Sequence, residues 1–131
     1  MIFRIADKFE ESFLVSEKIY EDFIEVSQDR NPLHTKIEFA HSKGFEGVVM
    51  HGNILNVFLS YFVGECLPIK DVIIHRQDVE FKNPVYKNDA LKFDALVVGI
   101  YESVKAVEFK YKFYNQNNQI VAKGRIQIGI I

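Results

Sequence analysis

Residues 48–63 are the most apolar stretch of this chain, and they constrain everything else. The stretch is shorter than the roughly 20 residues needed to cross a bilayer, and His51, Asn53, Asn56 and Ser60 interrupt it, so no membrane association is expected. A segment this apolar has to be buried inside a domain, and its spacing predicts a helix covered nearly all round, over about 50–63. Gly52, Asn56, Ser60 and Gly64 recur at four-residue steps, which puts the small and polar residues on one stripe of that helix. A polar stripe on a buried helix calls for a polar group opposite it, which is the first pointer to a site.

Beyond residue 70 the period changes to two. Leu91, Phe93, Ala95 and Val97 alternate with polar neighbours; so do Val107, Phe109, Tyr111 and Phe113, and then Ile120, Ala122, Ile126, Ile128 and Ile130. Asn115-Gln116-Asn117-Asn118 joins two of these runs with residues that accept left-handed turn conformations. Four consecutive strands, three of them apolar on one face, predict an antiparallel sheet linked by hairpins. In the front half, residues 8–15 read as a strand that adds to one edge of this sheet. Ser16 is placed to cap a helix through about Ser27, with Ile19, Tyr20, Phe23, Ile24 and Val26 at helical spacing. Thr35-Lys36-Ile37-Glu38 reads as a capping box opening a second short helix that stops at Gly44. The economical fold is α+β, one domain over 1–131, with an antiparallel sheet curved around the long apolar helix.

Composition excludes several functions. With 131 residues, 16 Lys and Arg against 18 Asp and Glu give a net charge of −2, which does not suit a nucleic-acid binder. Hydrophobic content of 48% with 26% charged residues rules out a disordered chain. The lone Cys66 cannot form an intrachain disulfide, and the first residues lack the apolar core of a signal peptide, so a cytoplasmic setting is expected.

The distinctive local sequence is Asp29-Arg30-Asn31-Pro32-Leu33-His34. It sets a carboxylate and an imidazole on one proline-stiffened bend, where they can hold a water between them and exchange protons with it. From these residues alone, a loop Asp at a helix start is more often a cap than a base, and that reading of Asp29 is the favoured one. The second element is His51-Gly52 at the front of the apolar helix. The first turn of a helix leaves N–H groups unpaired, and a residue without a side chain lets a substrate oxygen approach one of them; tight packing is the other reading of Gly52.

Val26 through His34, with Ala40, Gly44-Phe45, Val49 and His51-Gly52, resembles the signature of the MaoC-like dehydratases, the (R)-specific enoyl-CoA hydratases of the hot-dog fold. Phe81-Lys82-Asn83-Pro84-Val85 and Asp89-Ala90-Leu91 extend the likeness over most of the chain. The resemblance implies water addition to 2-enoyl thioesters, and elimination from (R)-3-hydroxyacyl thioesters. Asp29 matches the base, His34 its partner, Gly52 the backbone donor to the thioester carbonyl, Ser60 a hydroxyl near the site, and Asn31 an orienter of the loop. It implies no cofactor beyond a substrate carried on coenzyme A or acyl carrier protein, and the open edges of the sheet together with family habit suggest a homodimer. Gln28 stands where the family has glycine, Asn53 where it has methionine, and Asn88 where it has a turn glycine. The alternatives are a hot-dog thioesterase or an acyl-thioester binding module without catalysis.

His41, His51, His75 and Cys66 match no zinc-ligand spacing, so no metal site is expected. Lys92, Lys110, Lys112, Lys123 and Arg125 fall on the polar phase of their strands, as a solvated outer sheet face requires.

Overall fold

A computed structural model describes residues 1–131. Its sheet is six-stranded and antiparallel, in the order β1-β4-β5-β6-β2, with β3 also paired to β6. The strands are β1 (Lys8–Leu14), β2 (Val72–Gln77), β3 (Glu80–Phe81), β4 (Ala90–Tyr101), β5 (Ala106–Tyr114) and β6 (Ile120–Ile130). The helices are α1 (Glu17–Ser27), α2 (Pro32–Thr35), α3 (Ile37–Ser42) and α4 (Ile54–Tyr61), and α4 runs on as a wider π-helical turn, Phe62–Cys66.

The period-two reading holds in β4 and β5 and in the middle of β6: Leu91, Phe93, Ala95, Val97, Val107, Phe109, Tyr111, Phe113, Ala122, Ile126 and Ile128 are all buried, but Val121 beside Ala122 is buried as well, and Ile120 and Ile130 at the ends of β6 are only half-buried. The turn between β5 and β6 closes on Asn118 in the left-handed region at φ 59°, while Asn115 Oδ1 accepts from the N–H groups of Asn117 and Gln119. β1 adds to the free side of β4, with Phe13 opposite Leu91. The hairpin expectation fails for β2. It lies beside β6 rather than β4, and its outer edge is open.

The concave face of the sheet wraps α4 through an aromatic cluster. Phe58 stacks on Phe13 of β1 at 4.5 Å, and Phe62 meets Phe93 of β4 at 4.9 Å and Phe109 of β5 edge-on at 5.5 Å. Phe58 and Phe62 are four residues apart, so they stand on one helix face and enter the sheet together. Aromatic pairs at these separations add about 0.5–1.5 kcal/mol each beyond the area they bury. The apolar helix therefore packs against the sheet, but it is not covered nearly all round, because Val57, Ser60 and Tyr61 are exposed on its outer side; it also starts later than periodicity suggests, with helix proper beginning at Ile54.

The front half differs in detail. Ser16 Oγ accepts from Ile19 N–H at 3.2 Å and caps α1, whose Ile19, Tyr20 and Phe23 pack on the core; Val26 stays outside at 86% exposure. The Thr35–Glu38 capping box does not form. Asn31 Oδ1 instead caps Leu33 N–H at 3.0 Å with Pro32 in the first helical position, so the cap falls four residues before Thr35. Thr35 becomes its last residue and donates its hydroxyl to the carbonyls of Arg30 and Asn31, so α3 starts after Lys36 without a side-chain cap.

Candidate active site

Asp29 and His34 are carried by the bend between α1 and α2. α1 ends because Gln28 takes the left-handed conformation, φ 59°, which turns the chain sharply at its C-terminus. This is the conformation that favours glycine, and Gln28 offsets part of the cost by donating to Glu25 O and accepting from Arg30 Nη1. The bend folds on itself through Asp29 Oδ1, which accepts from Asn31 N–H at 3.1 Å, and through the Asn31 cap on α2.

The bend is then tied to the segment that leads into α4. Val49 N–H donates to Leu33 O at 3.0 Å, and His34 Nδ1 lies 2.6 Å from Val49 O, so Nδ1 carries the proton and donates it to that carbonyl. This leaves His34 Nε2 facing Asp29 Oδ2 at 3.9 Å, too far for a direct hydrogen bond and suited to a shared water. The His34 side chain is 16% exposed and that of Asp29 48%, so the pair spans the boundary between interior and solvent.

Both side chains line a cavity of about 570 Å³. Its apolar walls come from Phe23, Phe45, Met50, Ile54, Leu55 and Val85, and Gly52 also lines it. The N–H groups of Gly52 and Asn53 make no hydrogen bond within the chain, because the first bonds of this turn are donated by Ile54, Leu55 and Asn56. Two unpaired donors at the head of a buried helix, beside an imidazole and a carboxylate, can bind an oxygen that gains negative charge. A Cβ at Gly52 would come within 2.8 Å of the Phe81 ring, so this position is kept bare by close approach as well.

Of the residues singled out in the sequence, Asp29, His34 and Gly52 come together at this cavity. Asn31 lies on the same bend and holds it as the cap of α2. Ser60 does not join them: it is exposed on α4, outside the cavity lining. The expected polar partner for the helix stripe is instead Gln77 of β2, whose Nε2 donates to Asn56 Oδ1 at 2.9 Å. His51 has a part in the site that spacing did not reveal. It is buried at 3% exposure and stacks on His34 with ring centres 4.0 Å apart. Tyr20 of α1 is a second such residue, donating its hydroxyl to the main-chain carbonyl of His34.

Asp29, His34 and His51 offer donor atoms within 4.8 Å of one another. The two imidazoles are nearly parallel, tilted by 27°, and His51 Nε2 is engaged with Asp29 O, so their free lone pairs do not converge on one point as metal ligation requires. His41 and His75 lie elsewhere: His41 is on α3, its Nε2 3.1 Å from Glu46 O, and the His75 ring covers Gly129. Burial, with Glu11 as hydrogen-bond partner, pushes the Cys66 thiol up to about 11, which is the opposite of an activated nucleophile.

Residues 6–118 match the family described as the MaoC like domain. The chain belongs to the MaoC-like family. Among relatives of this MaoC-like chain, the (R)-specific enoyl-CoA hydratase of Aeromonas caviae is 29% identical over 102 residues, covering 78% of the chain and 76% of the relative. The mitochondrial 3-hydroxyacyl-[acyl-carrier-protein] dehydratase of Arabidopsis thaliana is 25% identical over 122 residues, 92% of the chain and 72% of the relative. The solved structure of the (R)-hydratase from A. caviae superposes with a TM-score of 0.90 at 25% identity, covering 99% of the chain and 98% of that structure. The MaoC-like chain thus has the hot-dog fold, α+β, with its sheet wrapped around α4.

Proposed function

We propose that this protein is a hydro-lyase that adds water to 2-enoyl thioesters and removes it from (R)-3-hydroxyacyl thioesters. The observation that carries the reading is the facing of Asp29 Oδ2 and His34 Nε2 across 3.9 Å beside the unpaired Gly52 N–H, in one cavity. In a 2-enoyl thioester the carbonyl withdraws electrons, so C3 accepts water and charge collects on the carbonyl oxygen. Asp29 and His34 orient the water and take its proton as its oxygen bonds to C3. The Gly52 N–H stabilises the enolate-like oxygen, and the pair returns a proton to C2, which completes addition of H and OH across the double bond. One oxyanion donor contributes about 3–4 kcal/mol, and acid–base assistance about 10²–10⁴-fold. The reverse sequence dehydrates the hydroxyacyl thioester.

The chemistry needs no cofactor beyond the coenzyme A or acyl carrier protein that bears the acyl group, and proton transfer by side chains supports that assignment. The relatives bear on the carrier from both sides, one named for CoA and one for acyl carrier protein. A homodimer is part of the proposal. β2 has an open outer edge with Ile73 and Ile74 exposed, and Val57 and Tyr61 of α4 are half exposed, so a second copy would cover apolar surface and an unpaired strand edge at once. Ser60 is the neighbour of Tyr61, so in such a dimer its hydroxyl would be covered at the contact between copies, away from the cavity. A cytoplasmic setting accords with one unpaired thiol, and no helix is long and apolar enough to cross a membrane.

The test is to incubate the protein with crotonyl-CoA and with longer 2-enoyl-CoAs and follow both the conjugated-enoyl absorbance and free thiol. Absorbance loss without thiol release is the expected result. Thiol release indicates a thioesterase, and no change indicates a binding module; either result refutes the proposal.

A further inference from the structure

The pairing of Asp29 with His34, if it is the reacting pair proposed above, needs a fixed separation between two side chains on a short bend. Two aromatic side chains from outside the bend hold its ends. His51 Nε2 donates to the main-chain carbonyl of Asp29 at 2.8 Å, from 22 residues away. The Tyr20 hydroxyl donates to the main-chain carbonyl of His34, from 14 residues away. Each tie therefore lands on the residue that carries one member of the pair. The tying rings also meet each other, with centres 6.0 Å apart, and Phe23 closes over His51 at 4.9 Å.

His51 is held there at a cost. With Nε2 bonded to Asp29 O, its Nδ1 is buried with no partner in the chain. An unpaired buried polar atom is destabilising, a cost that a phenylalanine of similar shape would avoid. What the imidazole supplies and phenylalanine cannot is the N–H to Asp29. Its face also lies against His34 at 4.0 Å, which fixes the plane in which His34 Nε2 points to the carboxylate. Tyr20 is anchored in turn: the Lys87 ammonium sits over its ring at 4.6 Å and pairs with Glu17 of the same helix.

We propose that His51 and Tyr20 are positioning residues that set the separation and orientation of Asp29 and His34 through these two main-chain carbonyls. Neither is required to touch substrate. Displacing a reacting group by about 1 Å can cost on the order of a hundredfold in rate.

The test uses Tyr20→Phe, which removes one oxygen; His51→Phe, which keeps the ring and removes the donor; and His51→Gln, which restores a donor. With crotonyl-CoA, Tyr20→Phe and His51→Phe are expected to lower kcat by about ten- to a hundredfold while KM stays within about threefold. His51→Gln is expected to recover at least about threefold of the loss, and the double Phe variant to lose less than the product of the single losses, because both ties act on one bend. Long-range 15N–1H spectra of the His34 ring, with the proton on Nδ1 in the wild type, should shift in each Phe variant. Unchanged kcat in both, or losses that track only the folded fraction with His34 signals unmoved, would overturn the proposal. Should His51→Phe fail to fold, Tyr20→Phe alone decides. Should the wild type fail to hydrate any enoyl-CoA, the functional reading falls, and the spectra still decide the positioning: shifted His34 signals sustain it and unmoved ones refute it.

Discussion

At the level of single residues, the proposed chemistry draws on Asp29, His34 and the Gly52 N–H. Asp29→Asn keeps the shape of the side chain and removes the base, so hydration should fall by at least about a hundredfold with an unchanged circular dichroism spectrum. His34→Ala should behave alike. Gln28 offers an opposite test, because its φ of 59° strains a residue with a Cβ. Gln28→Gly relieves that strain and should stabilise the fold by up to about 1 kcal/mol in urea denaturation, the lost side-chain hydrogen bonds being solvent-exposed ones. Cys66 should alkylate slowly. With its thiol pushed up to about 11 by burial, the thiolate fraction at pH 8 is about a hundredfold below that of a free thiol, and iodoacetamide labelling reads it directly. The sign for stability follows: the raised value favours the folded state's neutral thiol, so this contribution is intact below about pH 9 and is lost as pH rises through 11. The motif residues were readable because a carboxylate, a proline and an imidazole on one bend are local. His51 and Tyr20 were not, because their ties span 22 and 14 residues and depend on how α1 and the head of α4 meet.

At the scale of the element, strong periodicity was legible and competition between local signals was not. The strands β4 and β5 follow their alternation closely, since only one face of each is covered, whereas β6 breaks it at Val121 and Ala122, which are both buried. The Thr35 capping box gave way because Asn31-Pro32 offers a better start four residues earlier, and the hydroxyl of Thr35 was then used at that turn's end. β2 pairs with β6 instead of forming a hairpin with the next long strand, because sequence order says nothing of a connection that crosses from one part of the sheet to another. Where β2 gives way to β3 along β6, the chain passes closely over Gly124: a Cβ there would lie 2.1 Å from the carbonyl oxygen of Asp78, which itself accepts from the buried Tyr111 hydroxyl. Gly124→Ala should therefore destabilise by at least about 2 kcal/mol in a denaturant titration. Phe62→Ala should cost about 3–5 kcal/mol, because the ring is fully buried among Phe9, Phe93 and Phe109.

At the scale of the whole molecule, the sheet and its central helix do one thing for function: they bring the unpaired head of α4 against the bend between α1 and α2. The sheet-around-helix architecture could be argued from an apolar segment too short for a bilayer and a sheet needing cover. The open edge of β2 predicts association, and light scattering should give twice the mass of one chain; replacing Ile73 and Ile74 by lysine should shift that mass toward the monomer. The central claim is that water is delivered to C3 of an enoyl thioester and not to its carbonyl. Turnover of crotonyl-CoA in water enriched in 18O tests it most directly. The account predicts one 18O on the C3 hydroxyl of an intact 3-hydroxybutyryl thioester, absent in Asp29→Asn. Label in the carboxylate of free crotonate would contradict it.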